Sequence, residues 1–281
     1  MQAKKNIFIT GTSSGIGHYL SLKLAQNGYN VYAGVRTQKD AQVLLDHSKQ
    51  INPVIVDVTQ AQQIEQAYQQ IKAHLNGRGL DALINNAAIS RLGPLEFLNF
   101  DDLRSIFEVN LFGVMAVTQK FLPLLRSEGG RIINMGSMAG ILTMPFASAY
   151  SASKHALEAI SDGLRRELKF SNVKVIHFQI SAIGDKWERI NKNLLTSATS
   201  NEAVREYYDD YLQRYVKNIL KNNDPSAIQS PEVVFQKLKH ALTSDNPKIR
   251  YSMGRKHLEA KLFSLLPYRW QDWLIFKMHN K

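Results

Sequence analysis

Tyr150 stands four residues before Lys154 in the stretch AYSASKHALEAI, residues 149–160. In a helix that is just over one turn, so both side chains rise from one face. A phenol with a pKa of about 10 is a poor base at neutral pH, but an ammonium beside it favours the phenolate and lowers that value. Such a pair can pass a proton to or from a carbonyl or carbinol oxygen. The same spacing also describes an ordinary exposed helix surface, so the rest of the chain must decide. Thirteen residues before Tyr150, Ser137 closes the apolar run GRIINMGS. Asn110 lies in FEVNLFG, inside a helical pattern where asparagine is a poor former.

These residues need a scaffold, and the chain alternates two patterns. Short β-branched runs occur at 6–10, 30–35, 53–58, 80–87, 130–137 and 173–180. Between them lie GHYLSLKLAQNG, AQQIEQAYQQIKAHL, LRSIFEVNLFGVMAVTQKFLPLLR and HALEAISDGLRREL, with apolar residues at helical spacing. Strands apolar at nearly every position, separated by helices, imply a parallel sheet covered on both faces. Right-handed crossovers then give a Rossmann-like, doubly wound α/β sheet. The rhythm changes after residue 184, with a long helical stretch expected over 186–222. No linker or repeat interrupts the chain, so one domain is expected over 1–281, with a substrate lid at about 185–230 and a helical extension at about 231–281.

The first strand runs into TGTSSGIGHYL, where Gly11, Gly15 and Gly17 mark a sharp strand-to-helix turn. Such a turn brings backbone N–H groups to a helix N-terminus, where a pyrophosphate binds. Opening the first βα unit is the context that gives this glycine trio weight.

With these pieces in order, the chain resembles the short-chain dehydrogenase/reductase family, over residues 5 to about 185. Thr10–Gly17 is similar to the family's cofactor motif, and Asn85–Ala88 (NNAA) to its Asn-Asn-Ala-Gly motif with the last glycine replaced. Asn110, Ser137, Tyr150 and Lys154 match its four catalytic positions. The resemblance implies that Ser137 holds the substrate oxygen and Asn110 binds a water continuing a proton relay from Lys154. It also implies that Lys154 holds the nicotinamide ribose. The cofactor contacts it implies are Gly11, Ser13, Ser14, Gly15, Ile16, Gly17, Asp57, Val58, Asn85, Ala87, Tyr150, Lys154 and Ile183, with Asp57 at the adenine.

Val35 stands where NAD-using members of the family place Asp, and Arg36 follows. Guanidinium suits a 2′-phosphate, so NADP is expected rather than NAD, the other reading of Arg36 being a solvated surface charge. After the sixth run the chain departs from the family pattern. Ile180–Ser181 replaces Pro-Gly, and Asp185 stands where relatives have Thr. A backbone contact from Ile183 survives that change; a hydroxyl contact to the cofactor does not.

The substrate side offers Trp187, Ile190, Leu194, Leu195, Tyr207, Tyr208 and Tyr211, and between Ser137 and Tyr150 the residues Met138, Ile141, Leu142, Met144 and Phe146. They suggest an apolar cavity, although core packing gives the same pattern. The overall pattern is similar to steroid- and retinol-dehydrogenase-like members. This implies hydride transfer between the nicotinamide and a hydrophobic alcohol or ketone. A non-catalytic NADPH-binding protein of the same fold is the alternative.

The absence of cysteine excludes disulfides, zinc thiolate sites and thiol catalysis. A net charge of +11 invites nucleic acid, but the basic residues are scattered, and nucleic acid is not expected as a partner. No leader and no run of eighteen apolar residues is apparent, so a cytoplasmic protein is expected. The family pairs through helices, here 100–126 and 150–169, which implies a homodimer or tetramer. The end, LEAKLFSLLPYRWQDWLIFKMHNK, mixes Leu, Phe and Trp with Lys and Arg. It reads as a cap on the domain's own core broken at Pro267, or as an interfacial helix making weak peripheral membrane contact.

Overall fold

Seven parallel strands form one sheet: β1 (Asn6–Ile9), β2 (Asn30–Val35), β3 (Ile51–Ile55), β4 (Ala82–Asn85), β5 (Arg131–Ser137), β6 (Lys174–Ile180) and β7 (Arg250–Ser252). Their order is β3-β2-β1-β4-β5-β6-β7, a doubly wound sheet that reverses direction between β1 and β4. The structure is a computed structural model that describes residues 4–181, 202–222, 230–253 and 257–279. Ile183, Asp185, Trp187, Ile190, Leu194 and Leu195 lie outside the described residues.

The strands are apolar throughout because each face of the sheet has its own core. Ile7 and Ile9 point to one side, against Leu20 and Leu24 of α1 (Gly15–Gln26) and Val234, Phe235 and Leu238 of α8 (Pro231–Thr243). Phe8 points to the other, among Ile71 of α3 (Ala61–His74) and Phe121 of α5 (Gly113–Glu128). The Phe8 and Phe121 rings lie 4.7 Å apart. Helix α6 (Ser148–Glu167), which carries Tyr150 and Lys154, packs beside β5 and β6.

Four elements differ from the sequence reading. The third strand sits earlier than expected, at Ile51–Ile55, and includes Pro53; it is an edge strand, where a missing N–H is tolerated. Helix α2 (Gln38–His47) was not expected; Thr37 caps it by accepting from the Asp40 N–H. The single helix expected near 103–126 is interrupted: α4 (Phe100–Phe107) passes through a π-helical turn, Glu108–Phe112, before α5 begins. Strand β7 is too short and too polar to signal itself, and pairs with β6 at the far edge.

Of the long helical stretch expected over 186–222, the described part is α7 (Glu202–Asn222). The tail forms α9 (His257–Ser264) and α10 (Tyr268–His279), divided at Pro267 as the sequence implied. It is not mainly a core cap. Helix α10 buries Ile275 and packs on α7, whereas Leu258, Leu262, Leu265, Trp270, Trp273 and Phe276 are exposed. No described helix is long and apolar enough to cross a membrane.

Candidate active site

The turn after β1 is held from three sides. Thr12 donates its backbone N–H and its hydroxyl to the Gly34 carbonyl, both at 2.9 Å. Thr10 Oγ1 accepts from the N–H groups of Asn86 and Ala87, both at 3.1 Å. Asn86 Nδ2 donates to the carbonyls of Thr10 and Gly11 at 2.9 and 2.8 Å. Gly11 has a φ of +69°, and a methyl group there would lie 2.6 Å from Ala87 Cα. A methyl on Gly17 would lie 2.3 Å from the Gly11 carbonyl oxygen and from Asn86 Nδ2. The loop therefore admits only glycine at both points.

Helix α1 begins at Gly15 with Ser14 as its N-cap residue, yet no side chain caps it and no acid stands in its first turn. Its leading N–H groups and the positive end of its dipole are open to an anion, a fit to a pyrophosphate. Ser13 is half-buried and Ser14 exposed at this mouth, while the Ile16 side chain packs against the core. Arg36 is exposed immediately after β2 and forms no ion pair with a described residue. Asp57 Oδ1 accepts from the Thr59 N–H and hydroxyl at 2.9 and 2.8 Å, which fixes its carboxylate after β3. Val58 is buried against the tight start of α5 at Gly113.

Asn85 and Asn86 direct their side chains differently. The side chain of Asn85 is 3% exposed and turns into the sheet interior, where Nδ2 donates to Asn134 Oδ1 at 2.8 Å and Thr118 Oγ1 at 3.0 Å. It ties β4 to β5 and α5 and does not face the glycine loop with its side chain. The next asparagine, Asn86, does, and sequence reasoning passed over it.

Ser137, Tyr150 and Lys154 come together where β5 ends and α6 begins. Ser137 accepts from the Ala139 N–H at 3.1 Å, and its hydroxyl is near enough to the Tyr150 phenol to favour the phenolate. Lys154 is buried; its Nζ donates to the Met135 carbonyl at 3.2 Å and lies 5.8 Å from the Tyr150 ring centroid. Asn110 is held by the π-helical turn, a distortion often found at functional sites. Its Oδ1 accepts from the Ile89 N–H at 2.9 Å, and its Nδ2 donates to the Ile89 carbonyl at 2.9 Å and Ser153 Oγ at 3.1 Å. Ser153 in turn donates to the Tyr150 carbonyl at 2.7 Å. One amide proton of Asn110 thus goes to Ser153 of α6 and the other to the loop after β4, so the residue ties the two together.

Burial works against the pull expected of the lysine. It pushes the Tyr150 phenol above its ordinary value, and the nearby Ser137 hydroxyl opposes this. Burial also pushes the Lys154 ammonium down to about 8. With protein groups alone around the pair, desolvation outweighs the lysine's pull on the phenol. Of the three ammonium donors, one meets an acceptor among the described residues, and such a buried cation fits a ribose diol.

A family profile described as short chain dehydrogenase matches residues 5–187. The chain belongs to that family. It is therefore an NAD(P)-dependent oxidoreductase, and its relatives include steroid and retinol dehydrogenases. Retinol dehydrogenase 16 of Rattus norvegicus is 37% identical over 268 residues, covering 93% of this chain and 83% of its own length. The 17-beta-hydroxysteroid dehydrogenase type 6 of Homo sapiens is 35% identical over 289 residues, covering 99% and 89%. A solved short chain dehydrogenase from Burkholderia cenocepacia J2315 in complex with NADP superposes with a TM-score of 0.73, at 26% identity, over 98% of this chain and 99% of that one.

Proposed function

We propose that this dehydrogenase uses NADP to interconvert a hydrophobic alcohol and its ketone or aldehyde, with Tyr150 as the acid/base. The single observation that carries the reading is the buried Lys154 ammonium beside the Tyr150 ring, with the Ser137 hydroxyl near the Tyr150 phenol at the end of β5. The cofactor supplies the hydride acceptor and donor at its nicotinamide. Ser137 and Tyr150 hold the substrate oxygen. In reduction Tyr150 gives that oxygen its proton as hydride reaches the carbon; in oxidation it takes the proton back. Lys154 binds the ribose hydroxyls and stabilises the phenolate left behind. The preference for NADP rests on Arg36 and the missing acid at Val35, and the NADP complex of the Burkholderia relative is consistent with it.

An apolar substrate is supported by the third hydrophobic cluster. Phe146, four residues before Tyr150, packs with Val204, Leu212, Tyr215 and Val216 of α7, with Met144, Tyr208 and Tyr211 at its margin. Its φ of +63° is unusual for a residue with a side chain and directs the ring into that cluster. Tyr207, expected in the same wall, is 68% exposed and stands outside it. The relatives named for retinol and 17-beta-hydroxysteroid oxidation agree with such a substrate.

A homodimer belongs to the same proposal. Phe100 and Phe112 are exposed on α4 and its π-helical turn, around a groove that Leu103 and Phe107 also line. The deciding experiment is an NADPH-oxidation screen over ketosteroids, retinal, medium-chain ketones and quinones. Turnover with at least one apolar carbonyl is expected. NADPH binding with no turnover on any class would favour the non-catalytic alternative, and no NADPH binding would overturn the cofactor assignment.

A further inference from the structure

Each of the two C-terminal helices exposes a stripe of large apolar side chains. On α9, Leu258, Leu262 and Leu265 follow one another at helical spacing, all more than half exposed. On α10, Trp270, Trp273 and Phe276 do the same at 64%, 59% and 53% exposure, with Tyr268 at 83% beside the turn. A stripe of this kind on a soluble domain marks an interaction site.

The charge of this segment of sequence selects the partner. Residues 255–281 hold six basic side chains, Arg255, Lys256, Lys261, Arg269, Lys277 and Lys281, against Glu259 and Asp272. Lys261 lies exposed between Leu258 and Leu262, and Lys277 Nζ stands 4.6 Å from the Trp273 ring centroid. Cations interleaved with indoles and leucines complement a surface that is anionic outside and hydrocarbon within. A second copy of the chain would set this net positive surface against itself. Tryptophan, tyrosine and lysine together match the depth profile of a bilayer interface, where amphipathic rings settle at headgroup level.

We propose that α9 and α10 dock flat on an anionic phospholipid bilayer without crossing it. The docked face adjoins the lid. Phe276 of α10 lies 6.4 Å, ring to ring, from Tyr211 of α7, and Tyr211 lies 5.2 Å from Phe146, which precedes Tyr150 by four residues. Docking therefore sets the lid helix beside the lipid. For an apolar substrate, as proposed above, it shortens the route from bilayer to active site; the docking itself does not depend on that reading.

Flotation of the full chain with vesicles tests it, using phosphatidylcholine alone or with 30% phosphatidylserine, together with tryptophan emission and thermal melting. Binding to the anionic vesicles is expected, with a blue shift in emission, weakening as salt rises. Trp270→Ala with Trp273→Ala should abolish flotation while the melting temperature and NADPH binding stay unchanged. Lys261→Gln and Lys277→Gln should each weaken partitioning about fivefold, the effect of one basic residue at an anionic surface. Absence of flotation with the anionic vesicles overturns the proposal, as does flotation unaffected by both sets of variants. A doubled particle mass in light scattering that the tryptophan pair removes, without flotation, would assign the face to a second copy instead. Loss of NADPH binding or turnover in the wild-type chain would count against the proposed reaction and leave the docking result intact.

Discussion

Replacing Lys154 by methionine is expected to stabilise the protein while disabling it. Lys154 is 3% exposed, and burial lowers its pKa from 10.5 to about 8. A fall of that size corresponds to roughly 3 kcal/mol held against the folded state at neutral pH, at about 1.4 kcal/mol per pH unit. The sign follows from proton uptake. Between about pH 8 and 10.5 the unfolded chain binds this proton and the folded chain does not, so stability rises with pH across that window. Below pH 8 the full penalty applies. Methionine keeps the length of the side chain and removes the charge, but leaves the Met135 carbonyl without its donor, which costs about 1–2 kcal/mol.

The net expectation for Lys154→Met at pH 7 is a gain of about 1–2 kcal/mol, or about 2–8 °C in melting temperature. At pH 9.5 the wild type has recovered most of its penalty, so the two proteins should melt within about 2 °C of each other. Turnover and NADPH affinity should both fall at either pH, because the ammonium is proposed to hold the ribose. Urea and thermal unfolding without cofactor, followed by circular dichroism at pH 7 and 9.5, measure the difference. A variant less stable than wild type at pH 7, or an advantage that does not shrink with pH, refutes the reasoning.

Tyr150→Phe should retain NADPH binding and lose turnover by about 10²–10⁴, the usual value of a positioned acid/base; more than a tenth of wild-type turnover on a true substrate sinks the role. Arg36→Ala should weaken NADP by about 1.5–3 kcal/mol and leave NAD nearly unchanged, so equal losses in titrations of the two would remove the basis for the preference. Gly17→Ala forces a methyl against the Gly11 carbonyl and Asn86, so it should cost about 1–3 kcal/mol of stability, seen in urea unfolding, and displace the loop enough to abolish measurable NADPH binding. Light scattering at micromolar protein should give twice the 31.8 kDa chain mass, and a monomer would contradict the pairing proposed through the groove on α4.

The inner strands were legible because burial on both faces leaves an apolar signature, as in β1, where all four residues are buried. Strand β7 left no such trace: Arg250 and Ser252 are polar, and only Tyr251 turns into the core. The interruption at Glu108–Phe112 was also hidden, since one extra residue in a helical turn barely disturbs apolar periodicity. At the site, residue identity was easier to read than direction. Two adjacent asparagines in β4 and its exit point opposite ways because side chains alternate along a strand, so Asn85 serves the sheet and Asn86 the glycine loop. The burial that opposes the lysine's pull on the phenol was hidden for another reason. Proximity is visible in a four-residue spacing, but the depth of burial that decides its outcome is set by β5 and the turn beyond it.

Helix α6 shows why so many of the site's supports are polar and buried. Its first turn is tied through Ser153 and Asn110 to the loop after β4. Two turns on, Ser161 accepts from Asn134 Nδ2 at 2.9 Å, donates to the Leu157 carbonyl at 2.7 Å and contacts His177 Nδ1 at 2.9 Å. His177 Nε2 stands 3.1 Å from Glu158 Oε1, and Glu158 and Asp162 both pair with Arg250 of β7. The chain of contacts therefore runs from Asn85 in β4 through β5 and β6 to the sheet edge, crossing α6 on the way. Apolar packing alone would hold the helix near the sheet but allow it to slide; directional bonds to three strands fix its rotation and height. The position of Tyr150 and Lys154 over the end of β5 is a consequence of that fixing.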